Sequence, residues 1–176
     1  KNEVFFFPAS YRRAYQIEET DNTSVLLRVE VLNKLNNNKG IIIVTYSEAL
    51  SEKVVSRNEL KNNTITLKNN DHFSIEDVEK MLQNLNFKKV DFVIESGQYS
   101  IRGGILDVYS FADEYPFRLE FLDSDIESIR TFDVNSQLSI NIENKVTIIP
   151  NTEAKKSTKN QVSLLEYLPK NTIIWA

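Results

Sequence analysis

The run Phe117-Arg118-Leu119-Glu120-Phe121-Leu122 alternates apolar with mostly charged side chains, the period of two that marks a β-strand with one buried face. Phe117, Leu119 and Phe121 then look into a core, and Arg118, Glu120 and Leu122 look away from it. Working outward, residues 90–95, 98–102, 105–109 and 126–132 are also short alternating segments. Between them stand Ser96-Gly97, Gly103-Gly104, Asp113 to Pro116 and Asp123-Ser124-Asp125, which carry turn chemistry. The pattern predicts an antiparallel meander. Tyr99 and Ile101 oppose Ser100 and Arg102, so one sheet face should present Arg102, Arg118, Glu120 and an exposed Leu122. Gly103-Gly104 is expected to form a bulge or bend that re-aims Arg102. Ahead of the meander, 64–68 alternates as a strand, and a helix starts near Phe73, with Ser74 as its cap and Phe73 stapled to Val78. Ile75, Val78, Leu82 and Leu85 supply its buried stripe.

The first third reads as strand, helix, strand. Val4-Phe5-Phe6-Phe7 is stopped by Pro8. Leu26, Val29, Leu32 and Leu35 share one helical face behind caps at Thr23 and Ser24, and Gly40 ends that helix. Ile41-Ile42-Ile43-Val44 is β-branched throughout and apolar on both faces, as in a parallel strand covered by helices on both sides. Residues 47–55 read as a short helix and 58–63 as a polar domain exit. Beyond Pro150 a Lys/Ser/Thr/Asn stretch leads to a short helix at 162–168. An apolar strand at 172–175 is then expected to return to the first layer. The expected class is α/β: a partial parallel layer from 1–57 and 146–176, interrupted by an α+β domain with an antiparallel sheet at 58–145.

Composition narrows the chemistry. The 176 residues are 41% hydrophobic with a formal charge of −4, long enough to bury a core without staples. With no Cys and only His72, a zinc site and a Cys nucleophile are excluded. A reducing cytoplasm fits that usage. No apolar run approaches the roughly 20 residues that cross a bilayer. The opening at Lys1 and the apolar ending Ile173-Ile174-Trp175 read as the bounds of a segment of something longer. Residues 97–133 carry three basic and eight acidic side chains, and no stretch has the basic excess that phosphate neutralisation needs, so direct nucleic-acid binding is not expected. Gly40 is followed by Ile41, not by the Lys of a phosphate loop, and no cofactor is expected in the segment.

Five features remain to be weighed. His72 beside Asp71 reads as a solvated loop histidine, Arg12-Arg13 as a surface pair, and the Asn-rich stretches as loops. Asp123, Asp125 and Glu127 are the residues of an alternative reading, a divalent-metal nuclease or phosphotransferase; a hairpin turn describes the same residues more simply. The face carrying Arg102, Arg118 and Glu120 is either a solvated surface with an incidental ion pair or a protein-docking surface. Arg is enriched at binding hot spots, and bidentate Arg–carboxylate pairs fix orientation.

The run Glu95-Ser-Gly-Gln-Tyr-Ser-Ile-Arg-Gly-Gly-Ile-Leu-Asp-Val-Tyr109, with Tyr115-Pro-Phe-Arg-Leu-Glu-Phe-Leu-Asp123 and Ile126-Glu-Ser-Ile-Arg-Thr-Phe-Asp133, resembles the bacterial transcription-repair coupling factors (the Mfd family) in their UvrB-like N-terminal module. The resemblance implies a partial RecA-like layer, similar to the first domain of UvrB, interrupted at 58–145 by a domain that binds UvrA. It also implies that Arg102 and Arg118 match the family's UvrA-contacting arginines, that Glu120 is the adjacent acidic residue, and that Leu122 stands where an aromatic can stand. The parent it implies is an ATP-dependent DNA translocase, helicase-like, that removes RNA polymerase stalled at damage and recruits excision repair. ATP, Mg²⁺, RNA polymerase and double-stranded DNA would belong to domains outside these residues, and the segment itself would be no enzyme. The long aromatic hairpin of UvrB has no counterpart between Arg13 and Val25.

Overall fold

A computed structural model of the chain describes residues 3–10, 22–37, 40–151 and 161–175; Arg12-Arg13 and the polar stretch 152–160 lie outside them. The chain divides into two compact units, Lys1–Asn62 with Asn151–Ala176, and Asn63–Pro150.

In the first unit, β1 (Val4–Phe6) and β2 (Ile42–Val44) pair in parallel, joined through α1 (Asn22–Asn36). α1 buries Val25, Arg28, Val29, Val31, Leu32 and Leu35, a wider stripe than the four Leu and Val positions expected, and Leu26 is only half-buried. Phe5 turns toward α1, where Lys34 Nζ lies 5.0 Å from its ring. Val4, Phe6, Ile42 and Val44 alternate onto the other face and are exposed. Cover on both faces, expected from the β-branched run, is therefore found on one among the described residues. Two parallel strands are also too few to define a RecA-like layer. α2 (Ser47–Ser51) is followed at once by β3 (Lys53–Val55) and α3 (Arg57–Asn62). The single helix expected at 47–55 breaks because Glu52 turns extended, its carboxylate accepting from Ser10 N at 2.8 Å and pairing with Arg28 at 3.0 Å. The polar stretch 58–63 is helical up to Asn62, with Leu60 buried and Arg57 donating to Leu35 O at 3.0 Å, and the chain leaves the first unit at its end.

The second unit holds β4 (Ile65–Lys68), α4 (Ile75–Asn84), β5 (Lys88–Lys89), β6 (Gln98–Arg102), β7 (Ile105–Val108), β8 (Phe117–Leu122), β9 (Asp125–Phe132), β10 (Ser139–Glu143) and β11 (Lys145–Ile148). Six strands form one sheet in the order β10-β9-β8-β7-β6-β5, antiparallel except for β5 against β6. The meander is thus present. β11 pairs with β4, which carries this unit to Pro150 rather than to 145. Ser74 caps α4, accepting from Asp77 N at 3.2 Å. Glu79 and Gln83 of that helix meet the Tyr99 hydroxyl at 3.1 and 3.4 Å, so α4 lies on the face that buries Tyr99, Leu106, Val108, Phe117 and Leu119. Residues 90–95 alternate without being a strand. Val93 is buried there while Phe92 and Ile94 point out, and side chains of β6, not a neighbouring strand, take most of their backbone bonds.

The chain re-enters the first unit through β12 (Gln161–Ser163), antiparallel to β3, and a 3₁₀ turn at Leu164–Tyr167 whose Ser163 and Glu166 cap each other's backbone. The helix expected at 162–168 thus starts as a strand, because Val162 pairs opposite Val54. The strand expected at 172–175 is not formed: Thr172 N bonds back to Pro169 O in a turn, and Ile173, Ile174 and Trp175 are exposed. Among the described residues no helix is long and apolar enough to cross a membrane.

Candidate functional site

Strand register builds the site. Across the sheet, Ser100 stands opposite Asp107, Asp107 opposite Arg118, Arg118 opposite Arg130, and Arg130 opposite Ile142. One step along the strands, Arg102, Ile105, Glu120 and Ser128 form the next row. Side chains two residues apart share a face, so both rows lie on the side away from α4.

The centre of the face is Asp107, its side chain 1% exposed. Arg118 grips it bidentately, Nε to Oδ1 at 2.7 Å and Nη2 to Oδ2 at 2.9 Å, while Arg102 Nη2 reaches the same Oδ2 at 2.5 Å. Two guanidinium groups therefore share one carboxylate, and a positive charge is left over. Arg118 also donates to the backbone and side-chain oxygens of Gln137 at 3.4 and 3.2 Å, and its guanidinium sits 4.4 Å from the centre of the buried Phe132 ring. The hydrogen bonds to Asp107 raise its pKa further, against an opposing effect of desolvation. Arg102 donates through Nη1 to Asp91 O at 2.9 Å and to Ser100 Oγ at 3.0 Å, and lies 5.1 Å from the Phe92 ring. Of the five N–H donors of a guanidinium, these bonds leave Arg102 its Nε–H and one hydrogen on Nη2. The side chains are 37% exposed for Arg102 and 15% for Arg118.

Arg102 and Arg118 thus stand side by side, as the alternation implied. Glu120 does not pair with Arg118: it binds Arg130 and accepts from Ser128 Oγ at 2.6 Å. Leu122 is 62% exposed near the end of β8. Sequence reasoning missed Asp107 and Arg130. The signal for Asp107 was available, since it lies between Leu106 and Val108 in a period of two and must face the arginines. Gly103-Gly104 forms the two-residue turn between β6 and β7, with Gly103 at φ +59°, as tight hairpin turns require. Of the bulge or bend expected there, the bend is what forms; register shifts lie elsewhere, between β8 and β9 at Glu120/Phe121 and between β10 and β9 at Ser139/Asn141. Gly104 lies close to β8 on its β7 side, where a Cβ would stand 2.9 Å from Phe121 O.

The carboxylates of the alternative reading do not converge. Asp123 occupies the hairpin turn at φ +55°. Asp125 pairs with the exposed His72 Nδ1 at 2.8 Å, and Glu127 is exposed. Among the described residues no group of three His, Cys, Asp or Glu is placed to hold a metal.

The family described as the UvrB interaction domain matches residues 65–153. The chain is 30% identical to the transcription-repair-coupling factor of Haemophilus influenzae over 149 residues, 84% of this chain and 13% of that protein. It is 30% identical to that of Escherichia coli over 112 residues, 64% and 10% of the two chains. For Bacillus subtilis the values are 29% over 126 residues, 72% and 11%. The chain therefore spans about a tenth of the length of these relatives.

Proposed function

We propose, from the premise that this chain belongs to the UvrB interaction domain family, that residues 63–150 are a protein-docking domain that binds UvrA through the face built on Arg102, Asp107 and Arg118. The observation that carries the reading is the shared carboxylate: two arginines converge on one Asp that is 1% exposed. An incidental surface ion pair would leave its carboxylate in water. Here Asp107 is withdrawn and holds both cations in place, and the surplus charge and unspent donors of Arg102 are turned to an incoming acidic group. Such fixed, partly desolvated guanidinium groups give orientation as well as attraction. Leu122 lies on the margin of the same face.

In the longer protein, this domain is the recruiting arm of a transcription-repair coupling factor. The parent is an ATP-dependent DNA translocase that displaces RNA polymerase stalled at damage. ATP, Mg²⁺, RNA polymerase and double-stranded DNA are taken by domains beyond these residues, and the first unit is part of a RecA-like layer similar to the first domain of UvrB. The segment contributes binding, not catalysis.

Arg102→Ala is the direct test. It removes the more exposed arginine and is expected to weaken UvrA binding by about 2 kcal/mol, roughly 30-fold, by calorimetry or surface binding. Unchanged affinity for a folded Arg102→Ala chain would remove this face from the mechanism.

A further inference from the structure

We infer that Phe92 is a second contact point of this docking surface, and that the partner offers it an apolar side chain beside the carboxylate taken by Arg102. The inference rests on the UvrA-docking reading and names the chemistry of the segment that docks. Single exposed apolar side chains are ordinary on protein surfaces; Phe92 is set apart by how it is held. It is 61% exposed, and Ile94 two residues on is 65% exposed, yet the backbone between them is fastened on several sides. Asp91 O accepts from Ser100 Oγ at 2.8 Å and from Arg102 Nη1 at 2.9 Å. Ile94 N and Glu95 N both donate to Gln98 Oε1, at 3.0 and 3.3 Å. Val93 is buried between the two exposed residues. Two large apolar groups are thus presented from a pinned segment that has little ordering entropy left to lose on association.

Their position supplies the rest. The Phe92 ring lies 5.1 Å from the Arg102 guanidinium, near enough to hold that plane while its edge N–H groups stay available to a carboxylate. Asp107 is the one carboxylate that Arg102 and Arg118 bond in common, and Glu120 nearby is taken up by Arg130, so an acidic group is favoured at the guanidinium edge and an apolar one at the exposed flank of the ring. An anchoring aromatic beside a desolvated cation is the usual make-up of a binding hot spot.

UvrA binding to the whole chain is measured at low and at raised salt for the parent, Phe92→Ala, Phe92→Leu and Arg102→Ala, at a temperature where thermal unfolding shows all four folded. Phe92→Ala is expected to bind about 10-fold more weakly at both salt levels, in keeping with a lost apolar contact. Phe92→Leu should recover most of that loss. Arg102→Ala should instead flatten the salt dependence. Full affinity in Phe92→Ala beside a loss in Arg102→Ala overturns the inference and leaves the docking face standing. If Phe92→Leu binds no better than Phe92→Ala, the direct apolar contact is overturned, because the ring would then act only through Arg102. Full affinity in both Phe92→Ala and Arg102→Ala overturns the docking reading itself.

Discussion

The two units hide strand surface in opposite ways. In Asn63–Pro150 the face under α4 is apolar, with Leu106, Leu119, Ile126 and Ile129 fully buried, and the other face is closed by charge: Asp107 with its two arginines, and Glu120 with Arg130. In the first unit β1 and β2 are apolar on both faces, and among the described residues one face is covered. Arginine is used differently as well. Arg28 of α1 is fully buried, 4.5 Å from the Phe7 ring, donating to Pro8 O at 2.8 Å and paired with Glu52; it ties α1 to the chain leaving β1. Arg102 keeps donors unspent. Apolar density along a strand therefore says how much surface could be buried, whereas alternation says which of its faces is buried.

The most severe way to break this contrast is to separate the units. Residues 63–150 made alone are expected to give a β-rich circular dichroism spectrum and a single cooperative thermal transition, since their sheet and its cover come from one continuous stretch. An unstructured fragment would show that the second unit borrows its stability. Core truncation comes next. Leu119→Ala, in the middle of β8, should cost about 3 kcal/mol in chemical denaturation, whereas Ile42→Ala on the open face of β2 should cost under about 1 kcal/mol. A smaller step separates the two docking arginines. Arg118→Ala should destabilise by about 2 kcal/mol, because it uncovers Phe132 and strips Asp107 of its bidentate partner. The more exposed Arg102→Ala should cost under about 1 kcal/mol. Equal losses would mean that both arginines serve the fold.

The same contrast explains what could be read from the residues alone. Phe117–Leu122 declared its faces because every second side chain was charged or apolar, and Ser74 declared a helix start because its hydroxyl had an N–H to cap. Local chemistry sufficed there. It did not suffice for 90–95, where alternation was real but the bonding partners were the side chains of Gln98, Ser100 and Arg102. Nor did it suffice for 172–175, whose apolar run follows a turn closed by Thr172 N on Pro169 O and has no pairing partner among the described residues. Asp107 shows a third case. Its face is legible from the period of two, but that it joins Arg102 to Arg118 follows only from which residues stand opposite on neighbouring strands. Pairing across strands is a property of register, and a turn signal such as Gly103-Gly104 marks where two strands join without giving which residues stand opposite one another.

The smallest expected effect distinguishes the two faces of the six-stranded sheet by pH. On the arginine face, the hydrogen bonds to Asp107 raise the pKa of Arg118, against desolvation. On the α4 side, Lys89 Nζ lies 2.8 Å from Glu79 Oε1. The hydrogen bond from Lys89 lowers the Glu79 pKa, opposed by desolvation and assisted by the Tyr99 hydroxyl, and the same bond raises that of Lys89. A depressed carboxylate contributes stability above its unfolded pKa that is lost as pH falls through the folded value. A raised amine contributes below its unfolded pKa and loses that contribution as pH rises through the folded value. The pair therefore supports the fold only between the carboxylate and amine ranges. Glu79→Gln should be slightly less stable than the parent at neutral pH and indistinguishable from it in acid, below the folded carboxylate pKa, in denaturant midpoints taken across that range. A stability gap that persists unchanged into acid would mean that Glu79 acts through packing on Tyr99 and not through its charge.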